Sequence, residues 1–185
     1  MNGLIGAARL AVGLRDGIMR FKNTPQAFLA SLAPLVAFPL LGVLLLLAGG
    51  HWTVAAVLLL LVLVSQVAPP VISHWLAVRW GREAAWLRYA TAYNWCQWAL
   101  AVAAVVMLFV AEFAVMAGLP EEAGASLLVV GLGLYGLWLH WTVARHGLSL
   151  GWLRAAVLVA AVNIVTTALT WRLVSILVRS VPPVG

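Results

Sequence analysis

The chain has 185 residues, of which 65% are apolar and only 9% are charged. Residues 54–64 and 100–110 contain no ionisable side chain, so these stretches are too apolar to face water. This composition predicts an integral membrane protein with room for five crossings of about 20 residues each, but not for a separate soluble domain. The net charge of +6 fits basic residues beside membrane helices, so we expect no nucleic-acid partner.

Residues 1–22 are predicted to form a cytoplasmic amphipathic segment. Charged residues are spread through them, which is not typical of a cleaved targeting peptide. Apolar residues recur at helical spacing, which predicts a helix lying on the cytoplasmic leaflet; they are Leu4, Ala8, Ala11, Leu14 and Ile18.

Five apolar runs follow, and each is predicted to form a membrane-spanning helix. Their bounds are 25–49, 52–78, 90–117, 123–144 and 153–178. Two runs contain internal prolines, Pro34 and Pro39 in the first and Pro69 and Pro70 in the second, so we expect bends there. The predicted fold is therefore all-α. It is a five-helix membrane bundle over residues 23–180, with an interfacial N-terminal helix and a short tail at 181–185.

The basic residues predict how the bundle is oriented. Nine Lys and Arg residues lie in the N-terminal segment and beside the connections after spans two and four, whereas the turns after spans one and three contain none. Because basic residues concentrate on the cytoplasmic side, the N-terminus is expected in the cytoplasm and the C-terminus outside the inner (plasma) membrane. Arg172 and Arg179 lie at the end that this count places outside the cell. They leave open whether the last segment fully spans the membrane.

A first group of polar residues lies near the predicted cytoplasmic side. Gln66 and His74 are in span two, Asn94 and Gln97 in span three, and His140 near the end of span four. Polar groups inside a membrane are costly unless they are paired, so such residues are candidate sites. They could line a shallow cavity opened by the two adjacent prolines, or form a structural hydrogen-bond network with interfacial water.

A second group occupies one face of span five. Asn163, Thr166, Thr167 and Thr170 are separated by offsets of three, four and seven residues. The face could be a wet pathway or a ligand surface. Helix packing through hydrogen bonds is the interpretation that we favour.

The sequence contains no recognisable catalytic constellation, and we expect no cofactor. A single cysteine, Cys96, excludes an intrachain disulfide framework and a CxxC site. His140 and His146 have no acidic or cysteine neighbours in their segment, so we predict no metal site. The glycines of residues 131–136 match a dinucleotide pattern but lie inside a span, where close helix packing explains them. An intramembrane enzyme with His74 or His140 as general base remains an alternative without an identified nucleophile.

Three stretches of sequence resemble a known family. They are Asn-Thr-Pro-Gln-Ala-Phe at 23–28, Ala-Tyr-Asn-Trp-Cys-Gln at 92–97 and Ala-Arg-His-Gly-Leu-Ser at 144–149. With the five-span layout, they make the chain similar to the bacterial branch of the Yip1-domain membrane proteins, although the Asp-Leu-Tyr-Gly-Pro motif of eukaryotic members is absent. The resemblance implies a non-enzymatic membrane protein that works through protein and lipid contacts.

Two functions are therefore predicted. The first is a Yip1-like scaffold or accessory subunit, whose partners are membrane lipids and either another membrane protein or a second copy of the chain. The alternative is a small transporter or channel subunit that uses Gln66, His74, Asn94 and Gln97 as a cytoplasmic-side vestibule.

Overall fold

The computed structural model describes residues 2–180 of the chain and the side chains of residues 3–176. Over this range the fold is all-α, which confirms the predicted class. The elements are α1 (Asn2–Ala11), a 3₁₀ helix (Arg15–Arg20), α2 (Pro25–Ala48), α3 (Trp52–Arg79), α4 (Glu83–Met116), α5 (Glu121–Gly147) and α6 (Trp152–Ser180). The predicted tail at 181–185 and the side chain of Arg179 lie outside the described residues.

Helices α2 to α6 are each long and apolar enough to cross a membrane. Few side chains in their apolar stretches are buried inside the bundle, and large apolar ones such as Phe109, Phe113 and Ile164 are exposed, so the bundle needs a surrounding apolar solvent. The fold is that of a multi-pass membrane protein, as the composition predicted.

The helix ends follow local signals in the sequence. Pro25 occupies the first turn of α2, and the Thr24 hydroxyl caps that helix by accepting a hydrogen bond from the Ala27 amide at 3.3 Å. Gly50 and Gly81 have positive φ in the short connections on either side of α3. Because these connections are short, each one reverses the chain direction, and the helices on either side of it run antiparallel.

Two features of the helices add detail to the predicted spans, and the expected bends stay a prediction. Helix α4 begins at Glu83 rather than at residue 90, because its first turns are amphipathic and bury Tyr89 against the rest of the bundle. Helices α2 and α3 continue through their internal prolines without interruption. A proline removes one backbone donor, yet neighbouring helices hold the helical path.

The contacts between the five long helices close into a ring. Helix α2 packs against α3, α3 against α6, α6 against α5, α5 against α4, and α4 back against α2. The pair formed by α4 and α5 is the most extensive of these. The buried apolar core lies at one end of the ring, where Tyr89, Val143, Leu148 and Leu158 are almost fully covered.

The N-terminal segment docks on this same end. Leu10 in α1 and Ile18 and Phe21 after it are buried in the core, and the Tyr135 hydroxyl of α5 donates to the Ala11 carbonyl at 3.0 Å. The residues of α1 that enter the core lie outside the predicted lipid-facing stripe, in which Leu4, Ala8 and Leu14 are exposed. The helical spacing does not continue past Ala11, where α1 ends.

Close contacts explain the glycines of this segment. A Cβ on Gly3 would lie 2.7 Å from the Trp95 ring, and a Cβ on Gly17 would lie 2.7 Å from the Gly6 carbonyl oxygen. Beside them, the Arg9 side chain donates to the Asp16 carboxylate at 3.1 Å. This hydrogen bond lowers the pKa of the exposed Asp16 carboxyl below its usual value.

Candidate functional site: a polar chamber inside the helix ring

A cavity of about 300 Å³ lies between α2, α3, α4 and α6. We call it the polar chamber. Its lining residues are Leu35, Ser65, Gln66, Pro69, Pro70, Tyr93, Asn94, Gln97, Val162, Asn163, Thr166 and Thr167.

The polar chamber lies deep in the bundle. Gln66 is 13 residues from Arg79, the end of α3, and thus about 20 Å along the helix axis at 1.5 Å per residue. Asn163 is 11 residues from Trp152, the start of α6, or about 17 Å. The chamber is therefore near the middle of these helices along their length, and the shallow cytoplasmic-side position stays a prediction.

The chamber joins the two groups of polar residues that the sequence presented separately. Gln66, Asn94 and Gln97 come from the first group, and Asn163, Thr166 and Thr167 come from the second. They meet because α6 packs against α3, which places the polar face of the last helix opposite Gln66.

His140 borders the chamber but is occupied on both ring nitrogens. Asn163 Nδ2 donates to the Val159 carbonyl at 2.8 Å, which orients the amide, and the same NH₂ group lies 3.3 Å from His140 Nδ1. Because an amide NH₂ can only donate, Nδ1 accepts, and the proton of the neutral ring is on Nε2. This proton points to the Tyr89 hydroxyl at 2.9 Å. The imidazole therefore connects α4, α5 and α6 and has no free nitrogen for acid–base chemistry.

His74 and Thr170 lie apart from the chamber. The His74 ring packs edge-on against Trp86 at 4.7 Å between centroids, and its Nε2 is 3.9 Å from the Glu83 carboxylate. It lines a separate apolar recess between α2 and α3, together with Gln66. Thr170 is one turn beyond Thr167 and is not part of the chamber lining.

A hydrogen-bonded pair of side chains closes the α2 side of the chamber. Asn94 Nδ2 donates to the Ser31 hydroxyl at 2.9 Å, and Ser31 donates in turn to the Phe28 carbonyl at 2.6 Å. Sequence reasoning missed Ser31 and Ser65. Ser31 is the only hydroxyl residue within α2, and that isolation was the available signal.

Several residues of the chamber lining carry polar groups that lack their usual helical or side-chain partner. Proline has no amide proton, so Pro39, Pro69 and Pro70 leave the carbonyls four residues earlier without their helical donors. Those carbonyls belong to Leu35, Ser65 and Gln66, which all line the chamber. The hydroxyl oxygen of Thr166 is also buried without a hydrogen-bond partner among the described residues. Groups of this kind need water or a ligand as partner.

The chamber adjoins two larger cavities, with which it shares lining residues. A groove of about 890 Å³ between α4 and α5 shares Tyr93, Gln97 and Asn163 with it. A recess of about 370 Å³ between α2 and α4 shares Leu35, Gln66 and Gln97. The two glutamines therefore stand at the boundary between the polar interior and apolar, lipid-facing openings.

The electrostatics of the chamber are neutral. Its described lining contains amides, hydroxyls and apolar groups but no Asp, Glu, Lys or Arg side chain. Across residues 2–180, no three His, Cys, Asp or Glu side chains gather into a group that could hold a metal ion. The arrangement is suited to hydrogen bonding with an uncharged ligand, because a charged one would be desolvated without a counter-charge.

Comparison with protein-family models, with curated proteins and with solved structures finds no match to this chain. The fold and the chamber define its class, which is a multi-pass helical membrane protein with a polar cavity inside the bundle. The Yip1-like resemblance stays a prediction.

Proposed function

We propose that this protein is a small membrane transporter or channel subunit that binds an uncharged polar ligand in the polar chamber. The observation that carries the proposal is the convergence of amide and hydroxyl side chains from α3, α4 and α6 on one cavity of about 300 Å³. Such groups are costly in hydrocarbon, so a purely structural bundle would pair them with each other. Here the Thr166 hydroxyl and the proline-freed carbonyls retain hydrogen-bonding capacity.

We also propose that the bundle lies in the inner membrane of a bacterial cell with its N-terminus in the cytoplasm and its C-terminus outside. The N-terminal segment supports this because it docks beside the start of α4, where Asn23 bonds both the Ala84 carbonyl and the Arg88 amide. The connection at 80–82 is therefore at the same end of the ring as the basic N-terminal segment. The opposite end carries the acidic residues Glu121 and Glu122.

The binding proposal is tested by analysing what purified protein retains. Protein extracted in mild detergent is stripped with organic solvent, and the released compounds are quantified by mass spectrometry relative to protein. We expect at least one uncharged compound in the wild type. Its amount should fall about 5- to 30-fold in Gln66→Leu and Gln97→Leu, because each substitution removes an amide worth about 1–2 kcal/mol to a buried partner.

Thr170→Val is the matched control, because it removes a polar group from α6 outside the chamber. It should retain the compound at the wild-type level. Identical compound profiles in all three variants and the wild type would contradict the proposal.

The scaffold function stays a second prediction, with another membrane protein or a second copy of the chain as partner. Crosslinking before gentle extraction tests it. A stoichiometric partner would support the scaffold function, and recovery of a lone monomer would count against it.

A further inference from the structure

The groove between α4 and α5 has two chemically different ends. Leu100, Leu108, Leu128 and Leu132 are among its apolar walls, whereas Tyr93, Gln97, His140 and Asn163 form its polar end. On α4 the apolar wall from Leu100 to Leu108 extends for about 12 Å along the helix axis. A groove of this kind matches an amphiphile, with a hydrocarbon chain along the walls and a head group at the polar end.

The polar end is in the wrong place for an ordinary phospholipid. Gln97 is seven residues past residue 90, where the predicted span begins, which corresponds to about 10 Å along the helix. A phosphate at this position would lie below the headgroup level, and the groove lining includes no Lys or Arg side chain to neutralise it. The hydroxyl of Tyr93 and the amide of Gln97 can both donate and accept, as an uncharged hydroxyl head group requires, and the Asn163 amide, whose NH₂ group already donates to Val159 and His140, offers its oxygen as an acceptor.

We infer that the chamber's ligand is an acyl lipid with an uncharged, hydroxylated head group, which enters from the bilayer through the groove between α4 and α5. The inference rests on the proposed binding function and names the class of its ligand. The head group reaches the polar chamber past Gln97 and Asn163, which line both cavities. The acyl chain stays in the groove and contacts its apolar walls, while the head group forms hydrogen bonds at its polar end.

Gly133 provides a direct way to close the groove. It lines the groove, and an added Cβ would meet nothing within 4 Å, so a larger side chain there enters open space without displacing a neighbour. Leucine also has a higher helix propensity than glycine. Gly133→Leu should therefore fill the groove while the protein remains folded. Ala125→Leu is the matched control, because Ala125 is exposed on the same helix and does not line the groove.

The experiment uses two photoreactive lipids in nanodiscs of defined composition. One is diacylglycerol and the other is phosphatidylglycerol, each with the same diazirine-bearing acyl chain. We expect diacylglycerol to label the groove-lining parts of α4 and α5 about tenfold more than phosphatidylglycerol at equal mole fraction. Gly133→Leu should abolish this preference, whereas Ala125→Leu should keep it. The melting temperature of each variant confirms that it is folded.

Equal labelling by the two lipids, or labelling that Gly133→Leu leaves unchanged, would overturn the inference, because the groove would then hold only surrounding lipid. These outcomes leave the binding proposal standing if Gln66→Leu and Gln97→Leu still lose the co-purified compound. If every variant keeps both the co-purified compound and the diacylglycerol labelling at the wild-type level, the binding proposal and the lipid inference are both overturned.

Discussion

Single residues decide how closely the helices approach one another. Gly147 at the end of α5 lies against Tyr89 of α4, and an added Cβ would be 2.9 Å from the Tyr89 Cβ and 3.1 Å from its Cα. Because the second atom belongs to the backbone, a rotamer change cannot relieve the contact. This close approach keeps the Tyr89 hydroxyl within reach of His140, so the glycine supports the polar link across three helices.

Gly147→Ala should destabilise the protein by about 1–3 kcal/mol, because a methyl group inserted into a packed contact forces the two helices apart. Thermal unfolding in detergent measures the change. Gly133→Ala is the control, since its Cβ would enter open space and alanine favours the helix by up to about 1 kcal/mol. Equal melting temperatures for the two variants would contradict this explanation of Gly147.

At the scale of elements, the N-terminal segment behaves as part of the bundle. The 3₁₀ helix folds back on α1, and the two are held together where Gly6 and Gly17 touch. The sequence shows these glycines only as small residues within the predicted amphipathic segment. Their actual role became visible only with the contacts, because a glycine in a sequence does not reveal whether a neighbour lies against it.

Gly17→Ala should loosen the N-terminal segment without unfolding the membrane helices. Its Cβ would lie 2.7 Å from the Gly6 carbonyl oxygen and 2.9 Å from the Arg9 Cβ. We expect amide hydrogen exchange in residues 3–20 to increase about tenfold, with exchange in α3 to α5 unchanged. Val12→Ala, at a position that is 72% exposed, should have no such effect. If amide exchange increased equally throughout the chain, or did not increase in residues 3–20, this role of Gly17 would be refuted.

At the scale of the whole molecule, charge and polarity are segregated. Most basic residues lie at one end of the ring, Glu112, Glu121 and Glu122 lie toward the other, and neutral polar groups line the chamber; Asp16 and Glu83 at the basic end and Arg172 near the far end of α6 are exceptions. Such a distribution lets the ends remain in water while the exposed apolar faces contact lipid. It is also the basis for the proposed orientation in the membrane.

The orientation can be measured with single cysteines. In a Cys96→Ala background, which removes the one buried cysteine, Arg82→Cys and Glu121→Cys place a thiol at exposed positions on opposite ends. A membrane-impermeant maleimide should label Glu121→Cys in intact cells and Arg82→Cys only in inverted vesicles. The reverse pattern would mean that the bundle is inserted the other way round.

The sequence by itself determined that five helices form and approximately where each one ends. Those properties depend on local signals, namely the length of apolar runs and the prolines and glycines at their ends. It also identified most of the polar residues that later proved to share a cavity, because an amide within an apolar run is conspicuous. Helix α4 begins seven residues before the predicted third span, since its amphipathic first turns around Tyr89 do not look like a membrane span.

Only the tertiary structure decided which of these residues meet. Gln66 and Asn163 are almost a hundred positions apart, and they line one chamber because α3 packs against α6 and the ring closes through α2 and α4. The same packing leaves His74 outside and turns His140 into a link between helices. The order of helices around the ring depends on side-chain shape across distant contacts, and neither hydropathy nor spacing along one chain contains that information.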